Sequence, residues 1–156
     1  MKIDRIDAQI LNELQQDARL KTTELAERVC LSATPCTRRL KQLEEAGMID
    51  RYVTLLDQEK AGFPVNAYIS LTLEPKAEAT FRKFEQQIAT FDEVMECHLM
   101  SGSHDFMLRV VAASLSDFEK FLQKKLIKIE GLRDVQSSFS LRRLIHKTAL
   151  PVKSTV

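Results

Sequence analysis

Two groups of residues in this chain have types and spacings that can do chemistry. The first is Thr34, Thr37, Arg38 and Lys41, with Gln42 beside them. On a helix these side chains share one stripe. Hydroxyls and a guanidinium at the front of a helix can donate to base edges in a DNA major groove, and an ammonium can neutralise a phosphate. The plainer reading of the stripe is a solvated helix face. The second group is the loop Ser101-Gly102-Ser103-His104-Asp105. Backbone N–H groups around Gly102 can cradle a carboxylate, and Asp105 can accept from an ammonium, so the loop offers both halves of an amino-acid zwitterion site. Met100 and Leu132 would then supply an apolar wall suited to an aliphatic or thioether side chain. The competing reading is a hairpin turn, in which Gly102 takes a positive φ and Asp105 bonds its own backbone. The loop's physics alone favours the turn.

Other chemistries find little support. Cys30, Cys36 and Cys97 are an odd number without framework spacing, which reads as reduced thiols acting as small hydrophobes. Cys97 and His98 are adjacent in a strand pattern and point to opposite faces, so they cannot easily share a metal ion with His104. No nucleophile–base constellation or Walker loop is present, so the chain is not expected to be an enzyme and calls for no cofactor. The start, MKIDRIDAQIL, is charged and helix-patterned. With no apolar run of ~20 residues, a cytoplasmic protein without a membrane contact is expected. Bulk charge decides nothing, because residues 1–50 hold eight Lys and Arg against nine Asp and Glu. Only the local cluster at Arg38, Arg39 and Lys41 points toward nucleic acid.

The elements that must position these groups differ between the two halves. Residues 1–50 read as three helices. Asp4 caps the first, whose core stripe is Ile6, Ile10, Leu11 and Leu14. Thr22 caps the second, which buries Leu25, Ala26 and Val29. Ser32 or Thr34 caps the third, with Pro35 in its first turn, Cys36, Leu40 and Leu43 on its buried stripe, and Gly47 as a left-handed stop. A tight turn between the last two makes a helix-turn-helix. Residues 51–63 read as linker, with Ile49 to Leu56 as a small wing and hinge. Residues 64–156 change period: strand 65–73, a helix through Phe81, Phe84, Ile88 and Phe91, strands 94–100 and 106–112, a helix capped by Ser116 with Glu119, and a last strand from Val135 to Ile145. That order is a ferredoxin-like βαββαβ unit, so the fold class is α+β. Two helices cover one sheet face. Met107, Val111 and Ala113 make the other face apolar as well, which predicts a second copy of the chain against it.

Taken in order, these motifs resemble the leucine-responsive/asparagine-responsive regulator family (Lrp/AsnC, or feast/famine regulators). IDRIDAQILNELQQDAR at 3–19 is similar to that family's opening pattern, with Asp4, Asp7, Ile10 and Leu11 in place. LSATPCTRRLKQLEEAGMI at 31–49 is similar to its recognition-helix signature, and GSHDFMLRV at 102–110 to its Gly-x-x-Asp-x-x-Leu-x-Val motif. TALP at 148–151 fits the ending. The resemblance implies a winged helix-turn-helix followed by a ferredoxin-like effector domain. It also implies dimers that assemble further to tetramers or octamers, and an amino acid bound at interfaces between dimers. The family's Gly and Asp fall on Gly102 and Asp105, and Ser137 and Ser138 lie where a neighbouring subunit can approach the pocket.

The expected DNA-contact set is Ser32, Thr34, Pro35, Thr37, Arg38, Arg39 and Lys41, although Arg39 can instead pair with a carboxylate of the first helix. The expected effector set is Met100, Ser101, Gly102, Ser103, His104, Asp105, Leu132, Ser137 and Ser138, with leucine or methionine as candidate effectors. The expected function is an amino-acid-responsive transcriptional regulator of palindromic duplex DNA. Its rivals are a nucleoid-style architectural protein without an effector and an amino-acid-sensing regulatory subunit of a metabolic enzyme.

Overall fold

The computed structural model describes residues 2–155. The chain divides after Leu55: Leu56–Arg143 forms one compact unit, and the residues before it, together with those from Leu144 on, form the other.

The first unit contains α1 (Arg5–Gln16), α2 (Thr22–Arg28) and α3 (Ala33–Glu45). Asp4 caps α1 in a reciprocal box: its carboxylate accepts from the Asp7 N–H, and the Asp7 carboxylate accepts from the Asp4 N–H. Ile10, Leu11, Leu14, Leu25, Ala26, Val29, Cys36 and Leu43 bury together. Gly47 takes φ 68° and ends α3 as expected. The Met48 N–H reaches the Leu43 carbonyl at 3.0 Å and the Gly47 N–H the Glu44 carbonyl at 2.9 Å, which satisfies carbonyls that the helix leaves open.

Four local expectations need correction here. Lys21, not Thr22, occupies the position before α2, and Thr22 is already helical. Ser32 occupies that position before α3, but its hydroxyl makes no capping bond. Residues 49–56 form no strand. A strand exists only against a hydrogen-bonded neighbour, and none faces this segment among the described residues. Tyr52 instead donates to the Glu44 carboxylate at 2.7 Å. Finally, the residues from Leu144 on do not belong with the sheet. The Leu150 N–H donates to Gln15 Oε1 at 2.6 Å, Gln15 Nε2 donates to the Leu150 carbonyl at 3.0 Å, and Asn12 donates to the Val152 carbonyl at 3.2 Å. The Thr155 N–H donates to the Ile3 carbonyl at 2.9 Å, and Val152 packs on the helical core. The tail satisfies its backbone on α1, a possibility no periodicity argument could raise.

The second unit is a four-stranded antiparallel sheet in the order β2-β3-β1-β4, with β1 Val65–Leu73, β2 Val94–Leu99, β3 Phe106–Ala112 and β4 Leu132–Phe139. Helices α4 (Glu78–Ile88) and α5 (Leu115–Phe121, continued by a wider turn over Leu122–Leu126) cover one face. Ala67, Ile69, Leu71 and Leu73 of β1 and Phe106, Leu108 and Val110 of β3 pack there against Phe84, Ile88, Phe118, Phe121 and Leu126. This is the expected βαββαβ order. The cap of α5 is Ser114, not Ser116: the Ser114 hydroxyl accepts from the Asp117 N–H. The last strand is shorter than expected and ends at Phe139.

The opposite sheet face is not the apolar surface expected from Met107 and Val111. Register places Arg109 between them, opposite Tyr68, and its guanidinium donates to Glu96 Oε1 at 2.7 Å. Ala113 lies past the end of β3 and is exposed.

Candidate functional site: a DNA-reading helix and an effector loop

The reading stripe on α3 is set by what the other side of the helix does. Cys36 and Leu43 are fully buried, so Thr34, Thr37, Arg38, Lys41 and Gln42 are left exposed on the outer side, with Ser32 just ahead. Arg38 makes no ion pair among the described residues, leaving its fork of donors available. The Thr37 hydroxyl donates to the Ala33 carbonyl at 2.8 Å and keeps acceptor capacity outward. Lys41 has only a loose 3.7 Å contact with Glu45. Pro35 is half-buried and serves the first turn of the helix.

Arg39 makes the alternative pairing, with carboxylates of the first helix. Its Nη1 lies 2.6 Å from Asp4 Oδ2 and 2.8 Å from Asp7 Oδ1. A guanidinium shared between two carboxylates of α1 pins α3 to α1. The Asp7 N–H, then Arg39, hold the Asp4 carboxyl below the usual carboxylate range. The two carboxylates in turn raise the Arg39 guanidinium further. Arg28 acts similarly between α1 and α2, with Glu13 at 2.9 Å and Glu24 at 2.7 Å.

In the second unit, the loop Ser101–Asp105 joins β2 to β3 at the end of the sheet where β1 exits and β4 begins. Gly102 takes φ 143°, a conformation that favours glycine. Asp105 is buried. Its N–H donates to the Leu71 carbonyl at 2.9 Å, and its carbonyl accepts from the Met100 N–H at 2.8 Å. Its carboxylate accepts from the Leu73 N–H at 3.0 Å and from Lys76 Nζ at 2.8 Å. Lys76 first, then the Leu73 N–H, hold this carboxyl below the usual range. Asp105 therefore ties the loop to β1 rather than bonding its own backbone, while one oxygen already carries an ammonium. Sequence reasoning missed Lys76. It follows Pro75 beyond β1 and bears no spacing relation to the loop.

The remaining candidates are distributed unevenly. Ser103 Oγ lies 3.1 Å from His104 Nδ1. His104 is half-buried, with Nε2 3.8 Å from Asp134 Oδ2. Leu132 pairs with Leu73 and is half-buried at the same sheet end, while Met100 is exposed beside the loop. Ser137 and Ser138 are not brought to the loop within one chain. They pair with Ile69 and Tyr68, roughly 16–20 Å along β4 from Leu132 at strand rise, and they face opposite sides of the sheet. Cys97 and His98 also split between faces, opposite Leu108 and Met107. A cleft of about 310 Å³ in this unit lies between α4 and the free edge of β2, lined by Ile88, Met95, Cys97 and Leu99 among others, and not by Asp105.

A helix-turn-helix with an exposed basic, hydroxyl-rich second helix, carried on the same chain as a ferredoxin-like unit with a paired-charge loop, defines a ligand-responsive DNA-binding regulator. Comparison with known proteins gives the family. Residues 3–50 match the model of a winged helix-turn-helix DNA-binding domain, and residues 66–150 match that of the Lrp/AsnC ligand binding domain. The chain is 34% identical over 152 residues to the leucine-responsive regulatory protein of Escherichia coli K12, covering 97% of this chain and 93% of that protein. It superposes on a transcriptional regulator of Neisseria meningitidis, solved in complex with L-Met, with TM-score 0.92 and 37% identity, covering 96% of each chain. An AsnC family regulator from Agrobacterium tumefaciens gives TM-score 0.91 at 38% identity, covering 96% of this chain and 97% of that one. The chain belongs to the Lrp/AsnC family of transcriptional regulators. It binds DNA through its winged helix-turn-helix, carries an amino-acid effector-binding domain, and is not an enzyme. No helix among the described residues is long and apolar enough to cross a membrane.

Proposed function

We propose that this regulator reads a palindromic duplex site with a pair of α3 helices, one from each subunit of a homodimer, and that leucine or methionine controls it. The observation that carries the DNA half is the exposed stripe Ser32, Thr34, Thr37, Arg38 and Lys41 on a helix whose other side is locked by Cys36, Leu43 and the Arg39 clamp. Arg38 reads a base edge and Lys41 a phosphate. Twofold pairing of reading heads is the usual requirement of a helix-turn-helix. It acts in the cytoplasm, where its DNA is.

The effector binds at the loop Ser101–Asp105, with Met100 and Leu132 beside its side chain. Ser137 and Ser138 contribute from a neighbouring subunit, as their distance from the loop within one chain requires. Dimers assemble further, to tetramers or octamers, around this contact. Support for the effector class comes from the N. meningitidis relative, which holds L-Met, and from the leucine-responsive relatives. The chain's own support is the buried carboxylate that already carries an ammonium at 2.8 Å.

A thermal-shift screen of all twenty amino acids tests this, followed by mobility shifts with and without each hit. A ligand present at 100 times its dissociation constant raises stability by about 2.7 kcal/mol. Leucine or methionine should shift both melting and DNA binding. DNA binding that no amino acid changes would favour the architectural reading.

A further inference from the structure

We propose that Lys76 is a built-in stand-in for the effector's ammonium, and that effector binding displaces Lys76 from Asp105. This rests on the reading of the Ser101–Asp105 loop as the effector site.

The two oxygens of Asp105 are held by donors of different character. Oδ2 accepts from the Leu73 N–H at 3.0 Å. That donor is backbone, at the end of β1 where Leu73 pairs with Leu132 of β4. Oδ1 accepts from Lys76 Nζ at 2.8 Å. That donor sits on a flexible stem, its side chain 61% exposed against 11% for Asp105. Asp105 is the only ion-pair partner of Lys76 among the described residues. Lys76 is thus free to leave on one side and replaceable on the other.

A carboxylate this buried requires a cation, because an uncompensated charge out of water is costly. The α-ammonium of an amino acid is the same group as Nζ, three N–H donors on one positive nitrogen. Exchanging one for the other keeps the pair neutral and leaves the Leu73 bond intact. The ammonium side of the pair is 61% exposed, so solvent screens what Lys76 itself contributes, and its displacement costs the effector about fivefold or less in affinity. Lys76 therefore lowers affinity without blocking the site, and each effector that binds frees a cation at this end of the sheet.

The test uses the full-length chain and calorimetry with L-methionine and L-leucine. Lys76→Met keeps the stem and removes the charge. It should tighten binding by about two- to fivefold. Lys76→Arg, whose forked guanidinium grips a carboxylate more firmly, should weaken it. In the wild type, acetylation of Lys76 by acetic anhydride should rise when L-methionine saturates the protein, and 4-(methylthio)butanoate, which lacks the ammonium, should leave it unchanged. Weaker or unchanged binding by Lys76→Met, or unchanged labelling of Lys76 under saturating L-methionine, overturns the proposal. Asp105→Asn decides the reading beneath it. Wild-type affinity in that variant moves the effector site elsewhere and ends both, as does failure of wild type and Lys76→Met alike to bind either amino acid.

Discussion

Arg39 Nη1 donates to Asp7 Oδ1 at 2.8 Å, joining α3 to α1 across 32 residues of chain. The Asp7 side chain is 8% exposed and that of Arg39 26%. Arg38, one residue earlier, points outward and is unpaired among the described residues. Two adjacent arginines thus differ in role, one holding the helix in place and the other left facing solvent.

Substituting them separates the two roles. Arg39→Ala strands the buried Asp7 carboxylate and should lower stability by about 1–3 kcal/mol, read by urea unfolding. Arg38→Ala should leave unfolding unchanged and weaken binding to the cognate duplex by about 1–3 kcal/mol per reading head, read by anisotropy at fixed salt. Lys41→Ala should reduce the slope of log affinity against log salt by about one. Equal loss of specific and non-specific binding in Arg38→Ala would assign Arg38 to phosphate.

Cys30 sits in the turn between α2 and α3 with φ 56°. A side chain in the left-handed region costs roughly 1–2 kcal/mol. Glycine removes that strain but loses more freedom on folding. Cys30→Gly should therefore stabilise the helical unit by about 0.5–1 kcal/mol, seen as a higher urea midpoint at unchanged slope. A lower midpoint would mean that the Cys30 side chain makes compensating contacts.

Deleting residues 148–156 should loosen the helical unit and spare the sheet. The deletion removes the partners of Gln15, Asn12 and Ile3 and uncovers the core beneath Val152. Amide exchange should accelerate in α1 while β1 and β3 keep their protection. Equal acceleration in both units would tie the tail to the whole fold.

Acid should lower stability in part through Asp4 and Asp105. Both carboxyls lie below the usual range when folded, against about 3.9 in an unfolded chain. Their contribution is complete above the unfolded value and is lost as pH falls through the lower folded values. Stability should thus be flat in this respect above about pH 5 and should fall below about pH 4. Asp105→Asn, which keeps an acceptor for the Leu73 N–H, should flatten part of that fall in an acid titration followed by circular dichroism.

Much of this architecture was legible along the chain because it depends on neighbours a few residues apart. Alternation over Val65–Leu73 defines a strand with one buried face wherever it lies. The Asp4–Asp7 box and the Gly47 stop are complete within one turn of helix. The outward stripe of α3 follows from its buried stripe by helical geometry alone. The tertiary structure decided whatever depends on residues far apart in the chain. It set Arg39 on Asp7 across 32 residues and Lys76 on Asp105 across 29. It laid the tail along α1 and paired Arg109 of β3 with Glu96 of β2. It also left residues 49–56 without a strand partner. Ion pairs and sheet edges take their partners from what the fold brings within a few ångströms, and sequence distance carries no trace of that proximity.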